Sequence, residues 1–299
     1  MIAADIHGSM TALVTPFRGG QVDYAAIERL VDRQIQEGTD WLVPLGTTGE
    51  TPALTTDERE KVLGAVVSRN NGRCPVMVGT GTNCTVTTIE QTKSAARASA
   101  DAVLVVTPYY NRPPQEGLYR HFAAVADAVD LPLVLYNVPA RTGVCMSNDT
   151  IVRLRERHLN IVAVKDATGN VDGVTDLVTR CDIAVLAGDD NLAWPMMALG
   201  AVGVVSVLGN LQPALMKALV SAAMQHDVAE ATFYHRKVHD LTTEIGRFGP
   251  NPIPIKTAMA IAGLIEEEFR LPLCPLDGEA RAALRHVLRR YENLEACSA

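Results

Sequence analysis

Eight short apolar runs, rich in β-branched residues and recurring about every thirty positions, constrain this fold more than any other feature of the sequence. They occupy residues 12–15, 41–45, 76–79, 102–106, 133–136, 161–165, 183–187 and 202–207. Their unbroken apolarity implies burial on both faces, the condition of parallel strands covered by helices. Helical periodicity fills the gaps. After Asp23, the residues Ile27, Leu30, Val31 and Ile35 share one face and Gly38 ends the pattern. Thr55 and Glu58 form a capping box before Val62, Leu63, Val66 and Val67, with Gly72 past the end. Further on, Asn148 precedes Ile151 and Leu154, Asn170 precedes Val174 and Leu177, and Pro213 stands where a first helical turn tolerates it.

Eight βα units in about 225 residues predict an α/β protein built as a closed (β/α)8 TIM barrel rather than an open doubly wound sheet. The first βα turn, Thr15-Pro16-Phe17-Arg18-Gly19-Gly20, lacks the G-x-G-x-x-G fingerprint, which removes the main support for a dinucleotide-binding sheet. From about Val228 the strands stop. Helical patterns follow over 229–245, 255–265 and 279–291, separated by two proline-containing breaks. The sequence therefore reads as a catalytic barrel over residues 1–227 and a small C-terminal helical domain over 228–299.

Charge and motif content narrow the function. A net charge of -7 with a pI near 5.5 disfavours nucleic acid and anionic membrane as partners. No stretch approaches the length of a membrane span, and residues 1–7 lack a basic segment followed by an apolar one, so a cytoplasmic location is expected. The six cysteines are irregularly spaced without C-x-x-C and read mostly as reduced, small hydrophobes. Neither H-E-x-x-H nor G-x-S-x-G occurs, so metal and serine-hydrolase chemistry find no support.

Reactive residues of such a barrel lie at the C-terminal ends of its strands. The sixth run, Ile161-Val162-Ala163-Val164-Lys165, ends in an amine. Lysine is almost never fully buried without a partner or a task, and one held out of water can condense with a ketone or aldehyde to form a Schiff base. The alternative is a side chain that reaches solvent or pairs with Asp166. Tyr136, on the neighbouring run, can reach the same barrel mouth and relay protons, although a strand tyrosine also serves as a core residue. Gly46-Thr47-Thr48-Gly49 places two hydroxyls and exposed backbone N–H groups on a tight turn suited to a small carboxylate, or is a plain glycine turn. Arg141 offers a fork for a second carboxylate. Gly79-Thr80-Gly81 reads as a place where backbones approach closely rather than as a phosphate loop.

Gly46-Thr47-Thr48-Gly49-Glu50, Tyr136-Asn137-Val138-Pro139-x-Arg141-Thr142 and Val164-Lys165-Asp166-Ala167-Thr168-Gly169 together resemble the dihydrodipicolinate synthases, also called 4-hydroxy-tetrahydrodipicolinate synthases. Asn251-Pro252-Ile253-Pro254-Ile255-Lys256 also resembles a segment of that family. The resemblance implies that Lys165 forms a Schiff base with pyruvate, whose enamine attacks L-aspartate-4-semialdehyde before ring closure. It makes Tyr136 the proton-shuttling phenol, hydrogen-bonded to Thr47, and has Tyr110 complete the relay from a neighbouring subunit. Thr48 would bind the pyruvate carboxylate, Arg141 that of the semialdehyde, and Gly188 and Val205 would line the pyruvate site. It implies no cofactor or metal, and a homotetramer or homodimer. Related aldolases, such as N-acetylneuraminate lyase and the 2-keto-3-deoxy sugar acid aldolases, share the barrel and the lysine, and a non-catalytic 2-oxo-acid sensor is a third possibility. Sensitive members bind L-lysine as a feedback inhibitor. Here Asn83 and Tyr109 match lysine-contacting positions, but Thr56, Arg59 and Thr87 replace histidine, histidine and glutamate, so weak or absent inhibition is expected.

Overall fold

The computed structural model describes residues 6–292. The reading of residues 1–5 and Cys297 fall outside them. Seven of the apolar runs coincide with strands and the first adjoins one: β1 Gly8–Ala12, β2 Trp41–Val43, β3 Met77–Gly79, β4 Ala102–Val106, β5 Leu133–Asn137, β6 Ile161–Asp166, β7 Ala184–Ala187 and β8 Gly203–Ser206. The strands pair in parallel in sequence order, and β1 also pairs with β8 through Gly8 and Gly203. A parallel bridge between Leu42 and Val76, with Leu42 N–H donating to the Pro75 carbonyl at 3.0 Å, joins β2 to the neighbourhood of β3. The sheet is thereby closed into the expected (β/α)8 barrel.

The first strand differs from its expected place at residues 12–15. It begins at Gly8 because Ser9 and Thr11 are buried ladder residues that interrupt the apolar signal, whereas Leu13, Val14 and Thr15 continue past the end of the ladder. Glycine is required where this strand meets β8, since a Cβ on Gly203 would lie 2.2 Å from the Gly8 carbonyl oxygen. At Gly79 a Cβ would fall 2.0 Å from the Leu45 carbonyl oxygen, so this glycine does permit a close backbone approach.

Helices α1 Tyr24–Gln36, α2 Thr56–Asn70, α3 Thr85–Arg97, α4 Gln115–Ala126, α5 Asn148–Arg157, α6 Asp172–Arg180, α7 Ala193–Ala198 and α8 Pro213–Met224 follow the strands in turn. Asp23 caps α1 by accepting the Ala26 N–H at 2.9 Å, and the Thr55–Glu58 capping box opens α2. Helix α5 is capped by Ser147, leaving Asn148 inside the first turn, and α6 is preceded by Val171 rather than Asn170.

Strand alternation separates two apolar layers. Val105, Leu135, Val164 and Val185 face outward to Leu30, Phe122, Leu154 and Leu177 of the helices. Met10, Trp41, Met77, Leu104, Ala163, Leu186 and Val205 fill the barrel interior. Each fully buried leucine or valine in these layers contributes about 1.5–3 kcal/mol relative to exposure. Three more helices, α9 Val228–Gly246, α10 Ile253–Ile261 and α11 Gly278–Glu292, follow. Helix α9 packs on α8 and α10. Among the described cysteines only Cys74 is buried. Cys84, Cys145 and Cys274 are exposed because they lie in loops, Cys181 is half-buried, and all five described cysteines are free thiols, as expected of reduced residues.

Candidate active site

Tyr136 and Lys165 stand one residue before the ends of β5 and β6, side by side and paired in register. Lys165 shares the inner face of the barrel with Ala163 and is 5% exposed, with its Nζ 4.2 Å from the centroid of the Tyr136 ring. Among the described residues it makes no ion pair and no hydrogen bond. The suggested pairing with Asp166 does not form, because successive strand residues point to opposite faces. Asp166 Oδ1 instead accepts the Thr168 N–H at 2.7 Å, and burial pushes its carboxyl above the usual range.

A second buried lysine gives the contrast. Lys256, in α10, is completely enclosed, yet it pairs with Glu50, donates to the Glu268 carbonyl at 2.8 Å and sits over the rings of Phe17 and Phe269. Its charge is compensated on every side, although burial still draws its pKa down. Lys165 has an aromatic face and no counter-ion in contact. Of the two, only Lys165 presents an uncommitted amine.

The threonine turn follows β2. Thr47–Gly49 forms one turn of 3-10 helix, and Thr48 is buried with its Oγ1 accepting from Asn251 Nδ2 at 3.0 Å. Thr47 borders a cavity of about 250 Å³ with Tyr136 and Arg141. The expected hydrogen bond between Thr47 and Tyr136 is not among those of the described residues. Both residues border the same cavity.

Arg141 sits in a short helical turn, Pro139–Thr142, after β5. Its Nη2 donates to the Asn251 carbonyl at 2.9 Å, which steadies the fork while other guanidinium N–H groups remain for an anion. Gly188 follows β7 and borders a second cavity, of about 160 Å³, that Asn251 also lines. Val205, fully buried on β8, packs on the inner face with Tyr136. Tyr110 stands apart. It is 89% exposed, its backbone has φ 73°, and it does not border the cavity of Thr47 and Tyr136.

Three residues without a sequence-derived role emerge here. Asn251 touches both Thr48 and Arg141, joining the two carboxylate-binding candidates from a loop far along the chain. Glu50, directly after the threonine turn and at φ 51°, is buried against Lys256 and also accepts the Arg270 N–H at 3.1 Å. Arg270 in turn grips Glu58 and the Ala53 carbonyl, so the threonine turn is braced from the C-terminal helical region. The only sequence signal was the presence of Asn251 and Glu50 in quoted motifs, which said nothing of mutual contact, and Arg270 carried none.

Residues 5–291 match the model of the dihydrodipicolinate synthetase family. A 4-hydroxy-tetrahydrodipicolinate synthase from Pelobacter propionicus is 49% identical over 286 residues, which cover 95% of this chain and 98% of that one. The crystal structure of dihydrodipicolinate synthase from Aquifex aeolicus superposes with a TM-score of 0.94 at 45% identity, covering 96% of this chain and 98% of the other. The chloride-inhibited dihydrodipicolinate synthase from Acinetobacter baumannii, solved in complex with pyruvate, gives a TM-score of 0.92 at 46% identity, covering 95% and 98%.

Proposed function

The chain belongs to the dihydrodipicolinate synthetase family, and from that premise we propose that it condenses pyruvate with L-aspartate-4-semialdehyde to give 4-hydroxy-tetrahydrodipicolinate, in lysine and diaminopimelate biosynthesis. The observation that carries the reading is the contrast between the two buried lysines: Lys256 is ion-paired, while Lys165 is buried beside a phenol without a counter-ion in contact. The pyruvate complex of the Acinetobacter relative supports the same first substrate.

In this mechanism the Lys165 amine attacks the ketone carbon of pyruvate and the adduct loses water to give an imine. Removal of a methyl proton converts the imine to an enamine, whose carbon attacks the aldehyde of the second substrate. Ring closure follows when the semialdehyde's amino group adds to the imine carbon and displaces Lys165. Tyr136, against the lysine, shuttles the protons of these steps with Thr47, and Tyr110 completes the relay from a neighbouring subunit. Its near-complete exposure supports a role across an interface, and we propose a homo-oligomer, a tetramer or a dimer. Thr48 holds the pyruvate carboxylate. Since Thr48 Oγ1 already accepts from Asn251, its own proton is free to donate to that carboxylate. Gly188 and Val205 shape the pyruvate pocket, and Arg141 receives the carboxylate of the semialdehyde. No helix among the described residues is long and apolar enough to cross a membrane, and we place the enzyme in the cytoplasm.

Borohydride reduction in the presence of pyruvate tests the proposal. Peptide mass spectrometry should find a reduced pyruvate adduct on Lys165, and Lys165→Ala should lose both adduct and turnover. An active enzyme that leaves Lys165 unmodified would overturn the mechanism.

A further inference from the structure

The histidines of this chain include one pair at helical spacing, His235 and His239, four residues apart in α9. We propose that these two side chains form a binding site for a late first-row divalent metal ion, of the Ni(II), Cu(II) and Zn(II) class, which links successive turns of α9. Neither histidine borders either cavity of the candidate active site, so this metal site is independent of the function proposed above.

Residues four apart stack on one helix face, and two imidazoles so placed can share a metal. In α9 the ring centres are 5.9 Å apart and the ring planes meet at 62°. A metal lies about 2.0–2.1 Å from each imidazole nitrogen, hence roughly 3.2 Å from each ring centre, which puts the two centres of a bis-imidazole complex about 4.5–5.2 Å apart. The rings therefore need to close by about 1 Å. They differ in their freedom to do so. His235 borders the buried stripe of Ala231, Val238, Leu241 and Ile245, is itself half-buried, and has its Nδ1 enclosed without a partner. Its outward nitrogen is Nε2. His239, one turn on, is exposed and can change rotamer to meet it. Among the described residues neither ring makes a hydrogen bond or an ion pair, so a metal displaces no existing contact. His121 and His158 are different, since Thr85 and Asp127 already engage their rings.

The stretch His235-Arg236-Lys237-Val238-His239 lacks the glutamate of H-E-x-x-H. Among the described residues no group of three or more histidine, cysteine, aspartate or glutamate side chains is placed to hold a metal, so the pair supplies two ligands and water the rest. A catalytic zinc has three protein ligands, whereas two suit an exchangeable ion that stabilises the fold. The nearby charges are mostly spent: Asp240 accepts from Tyr291, Glu244 pairs with Arg290, and Lys237 lies over the Phe233 ring. Arg236, three residues before His239, has no partner among the described residues and opposes an added cation.

Calorimetric titration of Ni(II) into protein carrying no affinity tag, at about pH 7.5, tests the site. One ion should bind per chain. His239→Gln and His235→Gln should each weaken binding at least roughly tenfold, and Arg236→Gln should tighten it. His286→Gln, at an exposed histidine of α11 without a histidine at helical spacing, should leave it within about twofold. Mg(II), which prefers oxygen ligands, should not bind. At about a hundred times its Kd, Ni(II) should raise Tm by about 4 °C in the unaltered protein and by less than about 1 °C in His239→Gln. Should His235→Gln fail to fold, His239→Gln carries the test, because its side chain is exposed and without partners. Undiminished binding in His239→Gln would place the ion on the exposed cysteines or elsewhere and overturn the assignment, as would the absence of saturable binding.

Discussion

Replacing Lys256 by methionine should destabilise this protein far more than its distance from the chemistry suggests. The side chain is wholly enclosed and pairs with Glu50, which is 3% exposed. The substitution preserves most of the volume and leaves Glu50 charged, buried and held only by the Arg270 N–H at 3.1 Å. Breaking a buried pair by removing one partner costs about 3–5 kcal/mol. With an unfolding entropy of roughly 2.1 cal/mol/K per residue near 60 °C, a chain of 299 residues converts that cost to a fall of about 5–8 °C in Tm. The partner variant Glu50→Gln/Lys256→Met removes both charges and should recover most of the loss, coming within about 2 kcal/mol of the original. Thermal unfolding at fixed protein concentration measures all three proteins, and because Glu50 adjoins the threonine turn, the KM of pyruvate should rise in the single variant. A single variant less than about 1 kcal/mol below the original would refute the reasoning, as would a double variant no more stable than the single one.

Two further outcomes follow from particular side chains. His121 is buried with Nδ1 3.0 Å from Thr85 Oγ1, and burial lowers its pKa from 6.5 to about 4. The unfolded chain therefore binds more protons between these values, so acidification through that window should remove up to about 3 kcal/mol of stability, and His121→Gln should flatten Tm against pH over the same range; an unchanged slope would contradict this. L-Lysine should inhibit weakly or not at all, since Arg59 and Thr87 line a cavity of about 220 Å³ in which Arg59 is fixed to Gln91 at 2.6 Å. Half-inhibition below about 1 mM, equivalent to binding stronger than roughly 4 kcal/mol, would instead assign the ligand's ammonium to Glu60 or Glu90, which line the same cavity.

The barrel was legible because burial on both faces writes strands as continuous apolar runs, as in Leu133-Val134-Leu135 and Ile161-Val162-Ala163-Val164. Where a buried strand carries hydroxyls, as β1 does at Ser9 and Thr11, the run dissolves and the boundary was misplaced. Lys165 was legible for the converse reason: a charge that ends an apolar run stands out. Asn251 and the Glu50–Lys256 pair were not, because their partners lie about two hundred residues away and no periodicity connects them. Asp189 carried no signal of its own in the sequence. What distinguishes it from Asp190 is that one carboxyl is spent on backbone N–H groups and the other is not, and hydrogen-bond partners become visible only once β7 and β8 are side by side.

The bracing of the threonine turn also sets an order of events during synthesis. A nascent chain that has emerged through Ser206 contains all eight strands, and their ladders can already close. Glu50 still lacks Lys256, and Thr48 and Arg141 still lack Asn251. Until then Glu50 would be a charge without its counter-ion, which favours keeping the turn in water rather than folding it inward. The barrel can form while the chain grows, whereas the pocket waits for the last part of the sequence to leave the ribosome, so a chain released early would have the shape of the enzyme without its grip on substrate.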